Sequence, residues 1–144
     1  MMDHFSFRTA TAQDAPLVLS FIRQLADYEN MTDQVVADEK ELADWIFEKN
    51  MAQVLFVCEG EEAVGFALYF YNFSTFLGKP GLYIEDLFVR PAYRKKGYGK
   101  ALMLKLAQMA KADGCGRVEW ACLNWNEPSI RFYTSLGAEP MNEW

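Results

Sequence analysis

Leu82-Tyr-Ile-Glu-Asp-Leu-Phe-Val-Arg-Pro-Ala-Tyr-Arg-Lys-Lys-Gly-Tyr-Gly-Lys100 runs a strand pattern, a basic glycine turn and a helix start together, and the reading of the chain follows from it. Leu, Ile, Leu, Phe and Val between Leu82 and Val89 have the composition of a buried strand, and Pro91 ends it. A helical pattern opens at Gly97 to Gly99 and continues to Asp113. The glycines therefore stand at a helix N-terminus, where the first backbone N–H groups lack intrahelical acceptors and the dipole is positive. A polyphosphate can be held there by main chain alone if no Cβ blocks its approach. Arg94, Lys95, Lys96 and Lys100 add charge to the same end, more than a plain strand-to-helix turn requires. Two common phosphate motifs fail on spacing. The Walker pattern needs Gly-x-x-x-x-Gly-Lys-Ser/Thr, but here Ala101 follows Lys100, and the dinucleotide fingerprint needs a third glycine where Leu102 stands.

Composition bounds the remaining choices. The chain has 144 residues, the size of one domain with one sizeable core. No run is long and apolar enough for a membrane span, and the start, Met-Met-Asp-His, lacks the basic opening of a signal peptide, so a cytoplasmic protein is expected. Cys58, Cys115 and Cys122 lack Cys-x-x-Cys spacing, and His4 is the single histidine; neither a disulfide framework nor a metal site is expected. Net charge is −6, yet residues 90–105 carry six basic side chains and no acidic one, leaving eight basic against twenty acidic elsewhere. One local polyanion site on an acidic body fits this asymmetry; a nucleic-acid binder would spread its positive charge over a broader face.

Strand and helix patterns alternate without a linker or repeat. They predict strands at Phe5–Thr9, Ala52–Glu59, Glu62–Phe73, Leu82–Val89 and Arg117–Cys122. Helices are predicted over Asp14–Tyr28, Asp38–Phe47, Gly97–Asp113 and Glu127–Ser135, with a loop from Asn72 to Gly81.

The turn Arg94-Lys95-Lys96-Gly97-Tyr98-Gly99 resembles the acetyl-CoA-binding motif of the GNAT N-acetyltransferases. Arg8-Thr-Ala-Thr-Ala-Gln-Asp14 is similar to that family's first strand and helix entry, and Trp125-Asn-Glu-Pro-Ser-Ile-Arg-Phe-Tyr-Thr-Ser-Leu-Gly-Ala138 to its last helix. Tyr28-Glu29, Tyr83-Ile-Glu-Asp86 and Trp125-Asn-Glu-Pro-Ser129 are most similar to the diamine (spermidine/spermine) and thialysine branch. The resemblance implies an α/β (α+β) fold: a mixed central sheet, splayed between strands four and five and flanked by helices. It implies acetyl-CoA as co-substrate, a small cationic amine as partner, no nucleic acid or membrane, and a homodimer. Members continue past the position of Trp144 into a further strand, so the last strand of the sheet is expected to be lacking.

Acetyl transfer needs a neutral nitrogen. For an amine with a lysine-like pKa, roughly one molecule in 2,500 is neutral at pH 7, so a proton acceptor helps. Glu85 and Asp86 interrupt a strand that otherwise reads as buried, which is costly unless they are partnered or face a cleft. Regular alternation points them to opposite faces. The resemblance makes Glu85 the one at the acceptor site, as anchor or base, with a structural salt bridge as the alternative. It makes Tyr133 the acid that meets the departing sulfur, the alternative being a core aromatic beside Phe132. It places the backbone of Leu87, Phe88 and Val89 against the acetyl carbonyl, and Asn126 and Ser129, with residues 94–100, on the cofactor. Tyr28, Glu29, Asp86, Glu119 and Trp120 fall on the acceptor side. An acetyltransferase for another amine, in an antibiotic or a protein, and a non-catalytic acyl-CoA sensor remain as alternatives.

Overall fold

The computed structural model describes residues 5–120. Its elements are β1 (Phe5–Thr9), α1 (Ala15–Tyr28), α2 (Glu39–Leu42), β2 (Gln53–Glu59), β3 (Glu62–Ser74), β4 (Lys79–Val89), α3 (Tyr98–Ala112) and β5 (Arg117–Trp120). The strands form one mixed sheet in the order β1-β2-β3-β4-β5, antiparallel except for the parallel pair β4–β5. A parallel pair needs a crossover, and α3 supplies it.

The sheet is covered on both faces, which explains the near-continuous apolar run of β2. On one face Leu55, Val57, Ala67, Tyr69, Leu82 and Ile84 pack against Tyr98, Leu102 and Leu106 of α3. On the other, Val54, Phe56, Phe66 and Phe88 pack against Val18 and Phe21 of α1 and Ile46. α1 buries Ala15, Val18, Leu19 and Phe21 at helical spacing, and Pro16 sits in its first turn, where a missing N–H costs nothing. The Asp14 carboxylate fixes the entry, accepting from the Thr11 N–H at 2.7 Å and from the Arg8 guanidinium at 2.7 and 3.1 Å.

Two expectations change. The loop foreseen over Asn72–Gly81 is mostly ladder: β3 and β4 pair without a break from Asn72↔Gly81 to Ser74↔Lys79, and only residues 75–78 turn. Gly78, Pro80 and Gly81 read as breakers, yet Pro80 lies next to the strand's start, where a missing donor is tolerated. The second helix changes pitch, since α2 continues as a π-helical stretch over Ala43–Glu48. The fifth strand is described to Trp120; its last residues, the helix over Glu127–Ser135 and the splay beyond the Ile84↔Trp120 pair lie outside the described residues.

Candidate active site

The end expected to hold the cofactor is built by the turn between β4 and α3. Gly97 is the N-cap of α3 and has φ +86°, a left-handed conformation that side chains with a Cβ resist. No side chain caps this end, and the first intrahelical bond is Ala101 N–H to the Gly97 carbonyl at 2.9 Å. The N–H groups of Tyr98, Gly99 and Lys100 thus have no acceptor within the helix. Lys95, itself at φ +65°, and Lys100 are exposed and have no ion-pair partner among the described residues. This donor set suits a phosphorylated carrier such as coenzyme A.

The other residues of the basic cluster are engaged elsewhere. Lys96 pairs with Glu59 at 3.4 Å. Tyr98 is 2% exposed; its hydroxyl donates to the same Glu59 carboxylate, so it offers only main chain to a ligand. That hydrogen bond, then burial, pushes the phenol up to about 12, and the same hydrogen bond, with Lys96, holds Glu59 below the usual carboxylate range against the effect of burial. Arg94 turns away from the helix. Its Nε donates to the Val89 carbonyl at 2.9 Å, and its guanidinium lies 4.4 Å from the Tyr28 ring centre and 5.2 Å from that of Phe88. Arg94 therefore bridges the cofactor turn to the end of α1, a role for which the motif spacing gave no signal.

The end expected to receive the acceptor carries a β-bulge. Ile84 pairs with Tyr69 and Asp86 with Leu68, so Glu85 is the extra residue without a counterpart on β3. Ile84 and Leu87, three positions apart, both pack into the α3-side core, while Phe88 packs into the α1-side core. Glu85 and Asp86 therefore both belong to the α1 face, which corrects the expectation of opposite faces. Glu85 is exposed and Asp86 partly buried. Burial, then the like charges of Glu85 and Glu29, push the Asp86 carboxyl up to about 7. Burial also raises Glu29, the residue that ends α1. Tyr28, next to it, brings its ring within 6.3 Å of Phe88.

Further along the same face Tyr83 stacks on Phe70 at 5.2 Å, and burial and the charges of Glu85 and Glu119 raise its phenol. Glu119 is held by Arg117 Nε at 3.0 Å and by the Asn72 side-chain amide at 3.4 Å. Gly81 makes room for this knot: a Cβ there would fall 2.5 Å from Asn72 Oδ1. Trp120 pairs with Ile84 and packs against the α3-side core, opposite to Glu119. The structure thus brings Tyr28, Glu29, Glu85, Asp86 and Phe88 together. It leaves Glu119 farther along the strands, and it buries Val89 and partly buries Leu87 on the other face. Asn126, Ser129 and Tyr133 lie outside the described residues.

Comparison with known proteins places this arrangement. Residues 20–138 match the acetyltransferase (GNAT) family. Thialysine N-epsilon-acetyltransferase of Bos taurus is 35% identical over 145 residues, covering 94% of this chain and 85% of its own. L-ornithine N5-acetyltransferase of Arabidopsis thaliana is 32% identical over 183 residues, covering 95% of this chain and 80% of its own. Among solved structures, an integron cassette protein from the mobile metagenome of V. cholerae superposes with TM-score 0.80 at 29% identity, covering 98% of this chain and 89% of that one. Fold, glycine turn and relatives define the class as an amine N-acetyltransferase. The chain belongs to the acetyltransferase (GNAT) family, which takes acetyl-CoA as co-substrate.

Proposed function

We propose that the protein acetylates a primary amine of a small acceptor carrying a second positive charge, a diamine, polyamine or thialysine-like amino acid, by direct attack in a ternary complex. The observation that carries this reading is the cluster of Glu29, Glu85 and Asp86 on the α1 face of β4, with no cation paired to any of them among the described residues. Carboxylates gathered without a cation favour a bound one, and after burial the charges of Glu85 and Glu29 raise the Asp86 carboxyl. Thialysine and L-ornithine, the substrates in the relatives' names, are each diamino acids.

In this reading the main-chain donors at the start of α3, with Lys95 and Lys100, hold the phosphates, and acetyl-CoA when bound supplies the activated acyl group. Backbone at Leu87, Phe88 and Val89 orients the carbonyl. The carboxylates draw in the ammonium, Tyr28 and Phe88 wall the site, and Tyr133 protonates the departing sulfur.

The test is CoA release across an amine panel. Thialysine, ornithine, spermidine and diaminopropane should be acetylated faster than an aminoglycoside or an arylamine. Failure of all four beside rapid aminoglycoside acetylation overturns the acceptor class. Stabilisation by acetyl-CoA without transfer to any amine would make the protein a sensor.

A further inference from the structure

We propose that the hairpin between β2 and β3 clasps the turn between β4 and α3, with Glu59 and Glu62 as positioning residues that hold residues 90–98 in the shape that receives the phosphates of acetyl-CoA. The inference rests on the reading of that turn as the cofactor end and deepens it. The turn does not hold itself. Lys95 at φ +65° and Gly97 at φ +86° put two left-handed residues into it, and Lys95, which has a Cβ, resists that conformation. Such backbone persists only where its surroundings impose it. The N–H groups of Lys95, Lys96 and Gly97 make no hydrogen bond with the described main chain.

The hairpin supplies what the turn lacks. It reverses in two residues, Gly60 at φ +62° and Glu61, so Glu59 and Glu62 are direct cross-strand partners. Directly opposed residues share a face of the sheet, where two like charges repel. The turn answers each carboxylate with a cation and a phenol. Glu59 accepts from Lys96 Nζ at 3.4 Å and from the Tyr98 hydroxyl. Glu62 accepts from Arg90 Nη1 at 3.2 Å and from the Tyr93 hydroxyl at 3.5 Å. Lys96 also lies 5.3 Å from the centre of the Tyr93 ring, and the Arg90 N–H donates to the Val64 carbonyl at 2.9 Å. The grip thus runs from the residue after β4 to the first residue of α3.

Neither stability nor charge accounts for this arrangement. The pairs Glu59–Lys96 and Glu62–Arg90 are partly or well exposed to water, where ion pairs contribute little to folding. A carboxylate beside an anion site opposes the anion by its charge, so by electrostatics alone Glu59 and Glu62 weaken the site they flank. Positioning has the opposite sign. If the two acids fix the turn, their removal releases residues 94–97, and the ligand must order them again at its own cost. Glu61 is the internal control. It lies on the same hairpin between the two acids and forms no ion pair with a described residue.

The test is calorimetric titration with coenzyme A, beside kinetics with acetyl-CoA, for the wild type, Glu59→Ala, Glu62→Ala, Tyr98→Phe and Glu61→Ala. Glu59→Ala and Glu62→Ala should each raise Kd for coenzyme A, and KM for acetyl-CoA, by roughly 3–10-fold, with kcat and the KM of the amine unchanged. Tyr98→Phe should shift Kd in the same direction with every charge in place. Glu61→Ala, which removes the same charge, should not raise it. Acetyl-pantetheine carries the thioester without the phosphates and should serve all five proteins equally. Affinity unchanged or tightened in both Glu59→Ala and Glu62→Ala overturns the inference, as does an equal loss in Glu61→Ala or a parallel loss with acetyl-pantetheine. Where thermal melts show that an alanine variant is unfolded, Tyr98→Phe, which keeps both carboxylates, decides. A wild type that binds no coenzyme A fails at the underlying reading instead, and the two failures are distinct.

Discussion

Asp86 binds its proton more tightly in the folded chain than in the unfolded one, because burial and two neighbouring carboxylates oppose its charge. Its contribution to stability is therefore fully present below the unfolded carboxylate value near 4 and is lost as pH rises through about 7. At about 1.4 kcal/mol per tenfold change, the ionised group costs at most ~4 kcal/mol at pH 8, and less to the extent that water reaches the partly buried carboxyl. Asparagine has the shape of the protonated acid, so Asp86→Asn should raise the melting temperature of the unliganded protein. The gain should be larger at pH 8 than at pH 5, as read by calorimetry. An equal gain at both values would show that Asp86 is not charged at a cost in the fold. The adjacent acids were visible in the sequence as an anomaly, but the faces they occupy were misread. Strict alternation sends Glu85 and Asp86 to opposite faces; yet Leu82 and Ile84 are in one phase and Leu87 and Val89 in the other, and that phase change is the signature of a bulge.

The two elements that meet at the site, β4 and α3, were legible because each has a strong local cause. β4 has apolar residues ended by Pro91, and α3 opens on glycine and buries Leu102, Leu106 and Ala110 on one stripe. The start of β4 was not legible, because Gly78, Pro80 and Gly81 look like loop until ladder pairing with β3 satisfies their neighbours' backbone. The two glycines of the turn now separate in role. Gly97 holds a left-handed backbone at φ +86°, which costs a residue with a Cβ roughly 1–2 kcal/mol. Gly99 lies inside the first turn of the helix, where valine is the better helix former. Gly97→Val should therefore lower both the melting temperature and acetyl-CoA affinity, whereas Gly99→Val should weaken acetyl-CoA binding without a loss of stability. Calorimetric titration beside thermal melts checks both, and undiminished affinity in Gly99→Val would remove main-chain approach as the reason for that glycine.

Over the described residues, charge is divided between the basic turn before α3 and the acidic face of β4. The basic stretch 90–105 is read directly off the chain, but its reach is narrower than the count suggests: Arg90, Arg94 and Lys96 are engaged with Glu62, with Tyr28 and Phe88, and with Glu59. The acidic excess of the remaining residues, eight basic against twenty acidic, is uninformative until folding gathers Glu29, Glu85 and Asp86 from α1 and β4 onto one face. On the proposed reading, a cationic acceptor would meet a locally negative face on a chain of net charge −6, and its encounter and binding would gain from both. Screening shortens that attraction, since the Debye length falls from about 10 Å at 0.1 M salt to about 3 Å at 1 M. Raising sodium chloride from 0.05 to 0.5 M should raise KM for a diamine several-fold, and raise it less for a monoamine of similar length, which has one charge fewer to be screened. Acetyl-CoA held saturating throughout keeps its own salt sensitivity at the start of α3 out of the comparison. Equal slopes of log KM against log salt for the two acceptors would mean that the second charge is not recognised, and that the carboxylates act on the reacting nitrogen alone.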